Sequence, residues 1–312
     1  MSMFQVTPAT SAGRPVPPIT WVVPFEPGGA ADLVARALAG PLGQRLGQPV
    51  VVENHPGGAG ALGTELVLRR PADGCTLLNI STGPMAVNPS LYRHLRYDPL
   101  RDLVPVHGML QSSPLLAVEA TSPCHTLKDF LDAARHRPGE VRVGSAVPGT
   151  SAYLAGVLLA RESKTRLLQV SCQGATSALQ DLLGGRLEAV FDYLLPLKPH
   201  LDAGRLRALA VLGRRRLAML PEVPTVAEAG LRGAEVVSWS GIAVRAGAPE
   251  RAVRRLGAAM HQVLSDPEVM SAFIAMGEIP LLELTEAPLR AFIAAELVRW
   301  GGIVRLAGVT AE

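Results

Sequence analysis

A glycine-rich turn near the start of the chain has the composition and position of an anion-binding loop. It comprises residues 26–30, Glu-Pro-Gly-Gly-Ala, and it joins an apolar segment typical of a strand to a segment with helical spacing of apolar residues. The first N–H groups of a helix have no acceptor within the helix, so they bind anionic groups of ligands. In open α/β sheets, loops at the carboxyl ends of strands also form the ligand crevice. This turn therefore indicates a site for an anionic group at the amides of residues 28–30.

Two acidic residues bear on this interpretation. A carboxylate beside an anion site repels the ligand, so we expect Glu26 to face solvent or to select an amino group of the ligand. Asp32 lies close to the start of the following helix. There it is typical of a plain tight turn, in which an acid complements the helix dipole. The residues alone leave the ligand loop and the plain turn open.

A second loop of small and hydroxyl residues lies in the middle of the chain. Residues 144–151 read Gly-Ser-Ala-Val-Pro-Gly-Thr-Ser, and a helical pattern follows from Ala152. Two such loops in different halves of a chain can close on one ligand, with amides and hydroxyls replacing water around a carboxylate. The alternative is that Thr150 or Ser151 caps its helix, which is compatible with the same residue also touching the ligand.

No other motif predicts a cofactor, a metal or catalysis. Residues 58–63 fit GxGxxG, but three residues separate them from the preceding strand, and residues 79–81 lack the acid that would bind a ribose. We therefore interpret these glycines as packing and loop residues. The sequence has no GxSxG or HExxH motif and no histidines at metal spacing. Cys172 has no assignable histidine and acid partner, so we interpret it as a buried or wall-lining residue.

The composition predicts a soluble chain of many short elements. Of 312 residues, 48% are hydrophobic and 18% are charged, with 31 glycines and 26 prolines as punctuation. No apolar stretch is long enough for a membrane span. The net charge of +3 comes from scattered arginines without interleaved aromatic residues, which argues against nucleic-acid binding. The cysteines Cys75, Cys124 and Cys172 do not form a disulfide framework or a CxxC metal site, and whether any two pair is open.

The first 18 residues lack the apolar core of a signal peptide, so we interpret residues 1–18 as a flexible leader. Either the chain is cytoplasmic, or an export signal has been trimmed or lies upstream of the chosen start.

Strand and helix patterns alternate along most of the chain. The predicted strands are residues 19–25, 49–53, 75–80, 141–144, 189–192 and 206–212. Predicted helices begin at residue 30 and span residues 62–70, 127–135, 153–161, 178–183, 249–264, 267–276 and 286–306. Repeated βα units of this kind predict mostly parallel sheets with helices on both faces.

Seven segments, in this order and spacing, make the chain from about residue 19 to residue 312 resemble one family. They are VPFEPGGAAD (23–32), LGQPVVVENHPGGAGALG (46–63), ADGCTLL (72–78), NPSLYRHLRYDPLRDLVPV (88–106), GSAVPGTSAYLAG (144–156), ALQDLLGGRLEAVFDY (178–193) and LPEVPTVAEAGL (220–231). The chain resembles the Bug family, the receptors of tripartite tricarboxylate transporters, which are extracytoplasmic solute-binding proteins.

The resemblance implies the fold class α/β, of the type II periplasmic-binding-protein fold, with two α/β lobes and a ligand cleft between them. Lobe 1 would be discontinuous, comprising residues 19–112 and 240–312, and lobe 2 would comprise residues 113–239. Two crossover strands, near residues 111–115 and 237–241, would join the lobes.

The resemblance also implies that a carboxylate is gripped between the two loops described above, partly through ordered waters. The candidate ligand-binding residues are Phe25, Glu26, Pro27, Gly28, Gly29, Ala30, Ser81, Thr82, Asn88, Ser145, Ala146, Gly149, Thr150, Ser151, Gln173, Gly174, Ala175 and Asp192. We expect the amides of residues 28–30 and the hydroxyls of Thr150 and Ser151 to receive the carboxylate oxygens.

The chain departs from the family pattern at the wall of the second lobe. Ala152-Tyr153 stands where the family commonly has Ser-His, and Cys172-Gln173-Gly174 stands where it has Tyr-Lys-Gly. The loss of His and Lys removes positive charge that could pair with a distal carboxylate. We therefore expect a ligand less anionic than a tricarboxylate, such as a monocarboxylate or an aromatic or amide-bearing acid.

The function that the resemblance implies is that of a periplasmic receptor without enzymatic activity, metal or cofactor. It would be a monomer that captures a small organic anion and delivers it to the membrane subunits of a tripartite tricarboxylate transporter. The alternative is an orphan or cytoplasmic ligand-sensing protein on the same scaffold, which signals rather than transports.

Overall fold

The computed structural model describes residues 17–310. Most of the predicted leader, residues 1–16, therefore lies outside the described residues. Within the described range, no helix has both the length and the apolar character needed to cross a membrane. Cys75, Cys124 and Cys172 are all free thiols.

Strands and helices alternate as the sequence predicts, with bounds within three residues of those expected. The strands are β1 Ile19–Val23, β2 Val50–Asn54, β3 Thr76–Ser81, β4 Leu103–Ser112, β5 Leu115–Glu119, β6 Arg142–Ser145, β7 Leu168–Ser171, β8 Ala189–Asp192, β9 Leu206–Val211, β10 Ser238–Arg245 and β11 Ile279–Pro280. The helices are α1 Ala30–Leu46, α2 Ala61–Arg69, α3 Asn88–Leu91, α4 Leu127–His136, α5 Ser151–Glu162, α6 Ala175–Leu183, α7 Leu194–Asp202, α8 Glu250–Leu264, α9 Pro267–Ala275 and α10 Glu286–Ala307. The sequence patterns missed the strands β4, β5, β7, β10 and β11 and the helices α3 and α7, although the family resemblance placed crossover strands near residues 111–115 and 237–241.

The strands form two sheets, one in each lobe. The first has the order β11-β4-β10-β3-β1-β2, and the second has the order β7-β6-β8-β5-β9. Apolar clusters cover both faces of each sheet. Helices α1 and α8 cover one face of the first sheet, and α6 and α7 cover one face of the second. The prediction of two α/β lobes is confirmed.

The expectation of mostly parallel sheets is wrong, because both sheets are mixed. In the first sheet, β1 to β4 share one direction, whereas β10 and β11 run the opposite way. In the second sheet, β6 to β9 share one direction and β5 runs the opposite way. Both β5 and β10 enter their sheet from the other lobe. Apart from β11, the carboxyl ends of the remaining strands face the gap between the lobes, so a strand that enters from the gap must run against them.

The glycines of residues 58–63 pack closely against neighbouring residues, as the sequence analysis predicts. Gly60 has φ +90°, and a Cβ on Gly63 would lie 2.6 Å from Pro24 Cβ. Helix α2 can therefore contact the end of β1 only because Gly63 has no side chain.

Helix α10 packs on both lobes. Its first half covers the first sheet through Leu289 and Ile293. Its second half inserts Trp300 and Val304 into the apolar core of the second lobe. Within this helix, the buried Glu296 accepts hydrogen bonds from Trp239 Nε1 (3.0 Å) and Trp300 Nε1 (2.8 Å). One carboxylate therefore links a crossover strand to the helix that spans both lobes.

We expect Glu296→Ala to lower the free energy of unfolding by roughly 2–5 kcal/mol, because it leaves two buried indole N–H groups without an acceptor at about 1–3 kcal/mol each. Urea denaturation measures this change. The matched control is Glu286→Ala, which removes an exposed carboxylate from the first turn of the same helix and should cost at most about 1 kcal/mol. Equal losses in the two variants would contradict the bridging role of Glu296.

Candidate functional site

A cavity of about 150 Å³ lies in the gap between the two sheets. A water molecule needs about 10–15 Å³ on the same measure, so the cavity has room for roughly ten water-sized groups, which suits a small ligand. Its walls are the loops after β1, β2, β3, β6, β7 and β8, the last residue of β4, the first residues of β10 and the turn before β11. Carboxyl ends of strands from both sheets thus meet at one place, which is the usual position of ligand sites in open α/β sheets.

Most of the residues predicted from the sequence line this cavity. They are Phe25, Glu26, Gly29, Ala30, Ser81, Ala146, Thr150, Ser151, Gln173, Gly174, Ala175 and Asp192. The two loops recognised from the sequence lie on opposite walls, one from each lobe. Whether these residues bind a ligand stays a prediction.

Six predicted residues lie outside the lining, and several of them hold the loops instead. They are Pro27, Gly28, Thr82, Asn88, Ser145 and Gly149. The buried Asn88 donates to the carbonyl of Ala59 at 3.1 Å, and the Thr82 hydroxyl accepts from the amide of Trp239 at 3.0 Å. Gly149 has φ +99°, and its neighbours leave no space for a side chain.

The Gly28 amide, expected to bind the carboxylate, donates to Asp32 Oδ2 at 2.8 Å. The other oxygen of Asp32 accepts from Arg36 (2.9 Å) and from Asn54 (2.9 Å). Burial alone would raise the pKa of Asp32, but hydrogen bonds from Arg36, Gly28 and Asn54 outweigh it and hold the pKa below its usual value. Asp32 therefore fixes the shape of the loop, and this amide is engaged within the protein.

Three helix N-termini converge on the cavity. Helix α1 begins at Ala30, α5 at Ser151 and α6 at Ala175, and all three residues line the cavity. No side chain among the described residues caps α1. The N–H groups of its first turn also have no acceptor within the helix. Each N-terminus carries a partial positive charge of roughly half an elementary charge, so the cavity surface around these helix ends favours an anionic group.

The two hydroxyls expected to grip the ligand have partners within the protein. Thr150 Oγ1 accepts from the amide of Tyr153 at 3.3 Å, so Thr150 caps α5. Ser151 Oγ lies 2.7 Å from the Tyr193 hydroxyl and 3.1 Å from Ser238 Oγ. Because Ser238 begins β10, this pair joins the second lobe to a crossover strand of the first sheet.

Glu26 lines the cavity and lies against Gly174, the residue before α6. It is half-buried, and a side chain at Gly174 of the second lobe would overlap its carboxylate. Nearby, Thr176 Oγ1 donates to the carbonyl of Pro27 at 3.1 Å. The expectation that Glu26 points to solvent is therefore wrong, and its alternative, contact with an amino group of the ligand, stays a prediction.

Sequence reasoning missed polar residues that the fold brings to the cavity from distant segments. They are Asn79, Ser112, Tyr193, Ser238, Ser240 and Glu278. Asn79 and Ser112 stand at or near the carboxyl ends of β3 and β4, which is a signal that the sequence offered. Glu278 stands between α9 and β11, where no sequence pattern marks it as a cleft residue.

The charged residues that line the cavity are all acidic. Among the described residues of its walls, these are Glu26, Asp192 and Glu278, and no lysine, arginine or histidine joins them. Burial raises the pKa of Asp192 to about 7, and a hydrogen bond from the Tyr193 amide offsets only part of that effect. Burial likewise raises the pKa of Glu278 to about 7, against a hydrogen bond from Ser112 Oγ. Both carboxyls therefore titrate near neutral pH in the folded protein.

Cys172 lies beside this site but not in its lining. Burial, together with the carboxylates of Asp181 and Glu26, raises the pKa of its thiol to about 11. A thiol of this kind is protonated at neutral pH, whereas a nucleophilic cysteine reacts as thiolate. Within residues 17–310, no three His, Cys, Asp or Glu side chains are grouped closely enough to hold a metal ion.

Two α/β lobes joined by crossover strands, with a cleft lined by strand ends and helix N-termini, define a solute-binding protein of the periplasmic-binding type. Comparison with known proteins gives the family. Residues 34–309 match the tripartite tricarboxylate transporter family receptor, and the chain belongs to that family. It is 37% identical to Protein BugT of Bordetella pertussis over 306 residues, which covers 96% of this chain and 92% of BugT.

Solved structures of this class superpose closely on the chain. The periplasmic binding protein BugD has a TM-score of 0.91 at 28% identity, with 96% of this chain and 100% of BugD covered. MatC from Rhodopseudomonas palustris, with bound malate, has a TM-score of 0.86 at 31% identity, with 93% and 100% covered. A further R. palustris protein, with adipate, has a TM-score of 0.90 at 31% identity, with 95% and 99% covered.

The raised pKa values of Asp192 and Glu278 predict a loss of stability as pH rises. Between an unfolded pKa near 4 and a folded pKa near 7, the folded protein keeps a proton that the unfolded chain releases. The free energy of unfolding therefore falls through this window, by up to ~1.4 kcal/mol per pH unit for each group, and levels off above it. We expect the stability of Asp192→Asn and of Glu278→Gln, each measured relative to the wild type, to rise by about 2–3 kcal/mol between pH 5 and pH 8.

Thermal or urea unfolding of the ligand-free protein across this pH range measures the effect. Glu283→Gln is the control, because Glu283 is exposed and should keep the wild-type pH profile. If the curves of all three variants run parallel to that of the wild type, the two buried carboxyls do not titrate as described.

Proposed function

We propose that this protein is a periplasmic receptor that captures a small organic carboxylate in the interlobe cleft and delivers it to the membrane subunits of a tripartite tricarboxylate transporter. The observation that carries the proposal is the convergence of the N-termini of α1, α5 and α6 on one cavity between the lobes. Three such termini provide unpaired amide donors and positive potential without any basic side chain.

The carboxylate would lie against the start of α1. The candidates for its donors are the amides of Ala30 and Ala31, which belong to the first turn and whose residues line the cavity. The amide of Gly28 donates its hydrogen bond to Asp32. The donors that we propose therefore lie later in the chain than Gly28, at the end of the range 28–30 that the sequence analysis predicted and just beyond it. The malate and adipate in the two R. palustris structures are carboxylates of a size that suits this cavity.

Capture requires that the lobes close over the ligand, and several contacts cross the cleft in this structure. Thr176 bonds to Pro27, and Ser151 bonds to Ser238. The first contact joins the two lobes and the second joins the second lobe to the crossover strand β10, so the lobes would have to separate before a ligand of this cavity could leave. We propose the lobe boundaries at residues 112/113 and 239/240, close to the two passages between the sheets, with the whole acting as a monomer.

Gly29→Asp tests the position of the carboxylate. Gly29 lines the cavity with φ −76°, and the nearest atom to an added Cβ, the Glu26 carbonyl oxygen, is 3.6 Å away, so a side chain fits. Asp is also a favourable N-cap residue. We therefore expect the variant to fold with wild-type stability but to bind its carboxylate at least ~10-fold more weakly, because a fixed negative charge replaces that of the ligand.

A thermal-shift panel of organic acids finds the ligand, since a ligand at a hundredfold excess over Kd adds about 2.7 kcal/mol to stability. Calorimetric titration then compares the variant with Gly40→Asp, which adds the same charge to an exposed position of α1. Wild-type affinity in Gly29→Asp would show that the carboxylate lies elsewhere.

A further inference from the structure

We propose that the ligand of this cleft is a small aminocarboxylate, whose carboxylate lies at the helix N-termini and whose ammonium group is received by Asp192 and Glu278. This inference rests on the proposed function of the cleft and adds the chemical class of its substrate.

The first observation is a set of buried polar atoms that line the cavity without a hydrogen-bond partner among the described residues. Asp192 is 3% exposed, and its Oδ2 has no partner, whereas its Oδ1 accepts from the Tyr193 amide at 2.8 Å. Asn79 is 1% exposed, and both polar atoms of its side-chain amide have no partner. A buried acceptor that stays unsatisfied costs about 1–3 kcal/mol, and more when it is charged. A ligand with N–H donors would satisfy Asp192.

The second observation is the distribution of charge in the cavity. The positive ends of α1, α5 and α6 line the cavity from both lobes, and Asp192, Glu278 and Glu26 supply negative charge without a basic residue in the lining. A ligand with a single carboxylate can use the helix ends. A second carboxylate would face buried carboxyls of the same sign, which is unfavourable unless those carboxyls are protonated. An ammonium group has three N–H donors and the complementary charge.

Tyr193, Asp192 and Glu278 line the same cavity, and both carboxyls are near enough to Tyr193 for their charges to act on it. Its hydroxyl bonds to Ser151 Oγ, and burial, with a contribution from the charges of both Asp192 and Glu278, raises its pKa to about 12. Asp192 reaches this cavity from the end of β8 in the second sheet, whereas Glu278 reaches it from the turn between α9 and β11 at the edge of the first sheet. The two acceptors therefore come from opposite lobes, and a bound ammonium group would join the lobes as well as neutralise the charge.

The direction of the pH dependence distinguishes an aminocarboxylate from a dicarboxylate. The titratable groups that face the cavity are Glu26, Asp192, Tyr193 and Glu278, and Cys172 lies behind Glu26. Between pH 6 and pH 8, a ligand carboxylate (usual pKa near 4) and an aliphatic ammonium (near 10) keep their charge. Over the same range Asp192 and Glu278 lose their protons. An ammonium ligand therefore binds more tightly as pH rises, whereas a dianion binds more weakly.

The test is calorimetric titration of the full chain with pairs of ligands of equal chain length, adipate against 6-aminohexanoate and succinate against 4-aminobutanoate, with the corresponding α-amino acids, at pH 6 and pH 8. We expect at least one aminocarboxylate to bind ~10-fold more tightly than its matched dicarboxylate at pH 8, a difference of about 1.4 kcal/mol, and to gain affinity from pH 6 to pH 8. Asp192→Asn and Glu278→Gln should each weaken it about tenfold and flatten its pH dependence. The exposed control Glu283→Gln should change neither.

Tighter binding of the dicarboxylates, with affinity that falls as pH rises, would overturn this inference and leave the proposed carboxylate receptor intact. Binding of an aminocarboxylate with unchanged affinity in both Asp192→Asn and Glu278→Gln would also overturn it. If no acid of either class binds wild-type protein whose unfolding is cooperative, the proposed function fails together with the inference. Two independent variants guard against a folding defect in one of them.

Discussion

The direction of two strands determines where everything else in this molecule lies. The chain leaves the first sheet at Ser112 and returns to it at Ser238, and both passages cross the same gap. Strands that enter from this gap, β5 and β10, oppose their neighbours, so the parallel strands of both sheets end at the gap. Each of the helices α1, α5 and α6 starts shortly after such a strand end and must therefore begin there. The cavity and its electrostatic potential follow from this topology.

The resulting site is unusual in the way its charges are arranged. Backbone amides provide the positive potential, and side chains provide the negative charge, which is the reverse of an anion site built from arginine or lysine. Helix ends are fixed by the fold, whereas carboxyls with a pKa near 7 change their charge near neutral pH. The backbone amides thus keep their preference for an anionic group at every pH, whereas the preference of the buried carboxyls changes with the proton concentration.

The sequence predicted those parts of the site that depend on neighbouring residues. A strand, a glycine turn and a helix follow one another within residues 19–46, so the first loop could be placed from its own residues, and the same holds for residues 144–151. Asn79 could have been found by applying the rule for strand ends to β3. Glu278 could not have been found by this rule. Only the pairing of β11 with β4, across more than 160 residues of chain, brings Glu278 to the cleft.

The hydrogen-bond partners of the site side chains could not be predicted from the sequence either. The sequence predicted that the Ser151 hydroxyl binds the ligand. In the structure this hydroxyl is hydrogen-bonded to Ser238, which lies beside it only because the chain returns to the first sheet. The mixed direction of the sheets also escaped prediction, since alternating strand and helix patterns carry no information on which strands cross between lobes. Site residues within one short segment could therefore be predicted from the sequence, whereas contacts that depend on the crossover strands could not.

The double attachment of α10 has a mechanical consequence. Its first half is anchored to the first sheet, its second half is embedded in the core of the second lobe, and Glu296 ties it to Trp239 in the wall of the cavity. Any rotation of one lobe against the other would therefore have to bend or tilt this helix. The exposed side of the same helix, where Val298 is 77% accessible, would change position with such a rotation, so this outer surface is coupled to the state of the cleft.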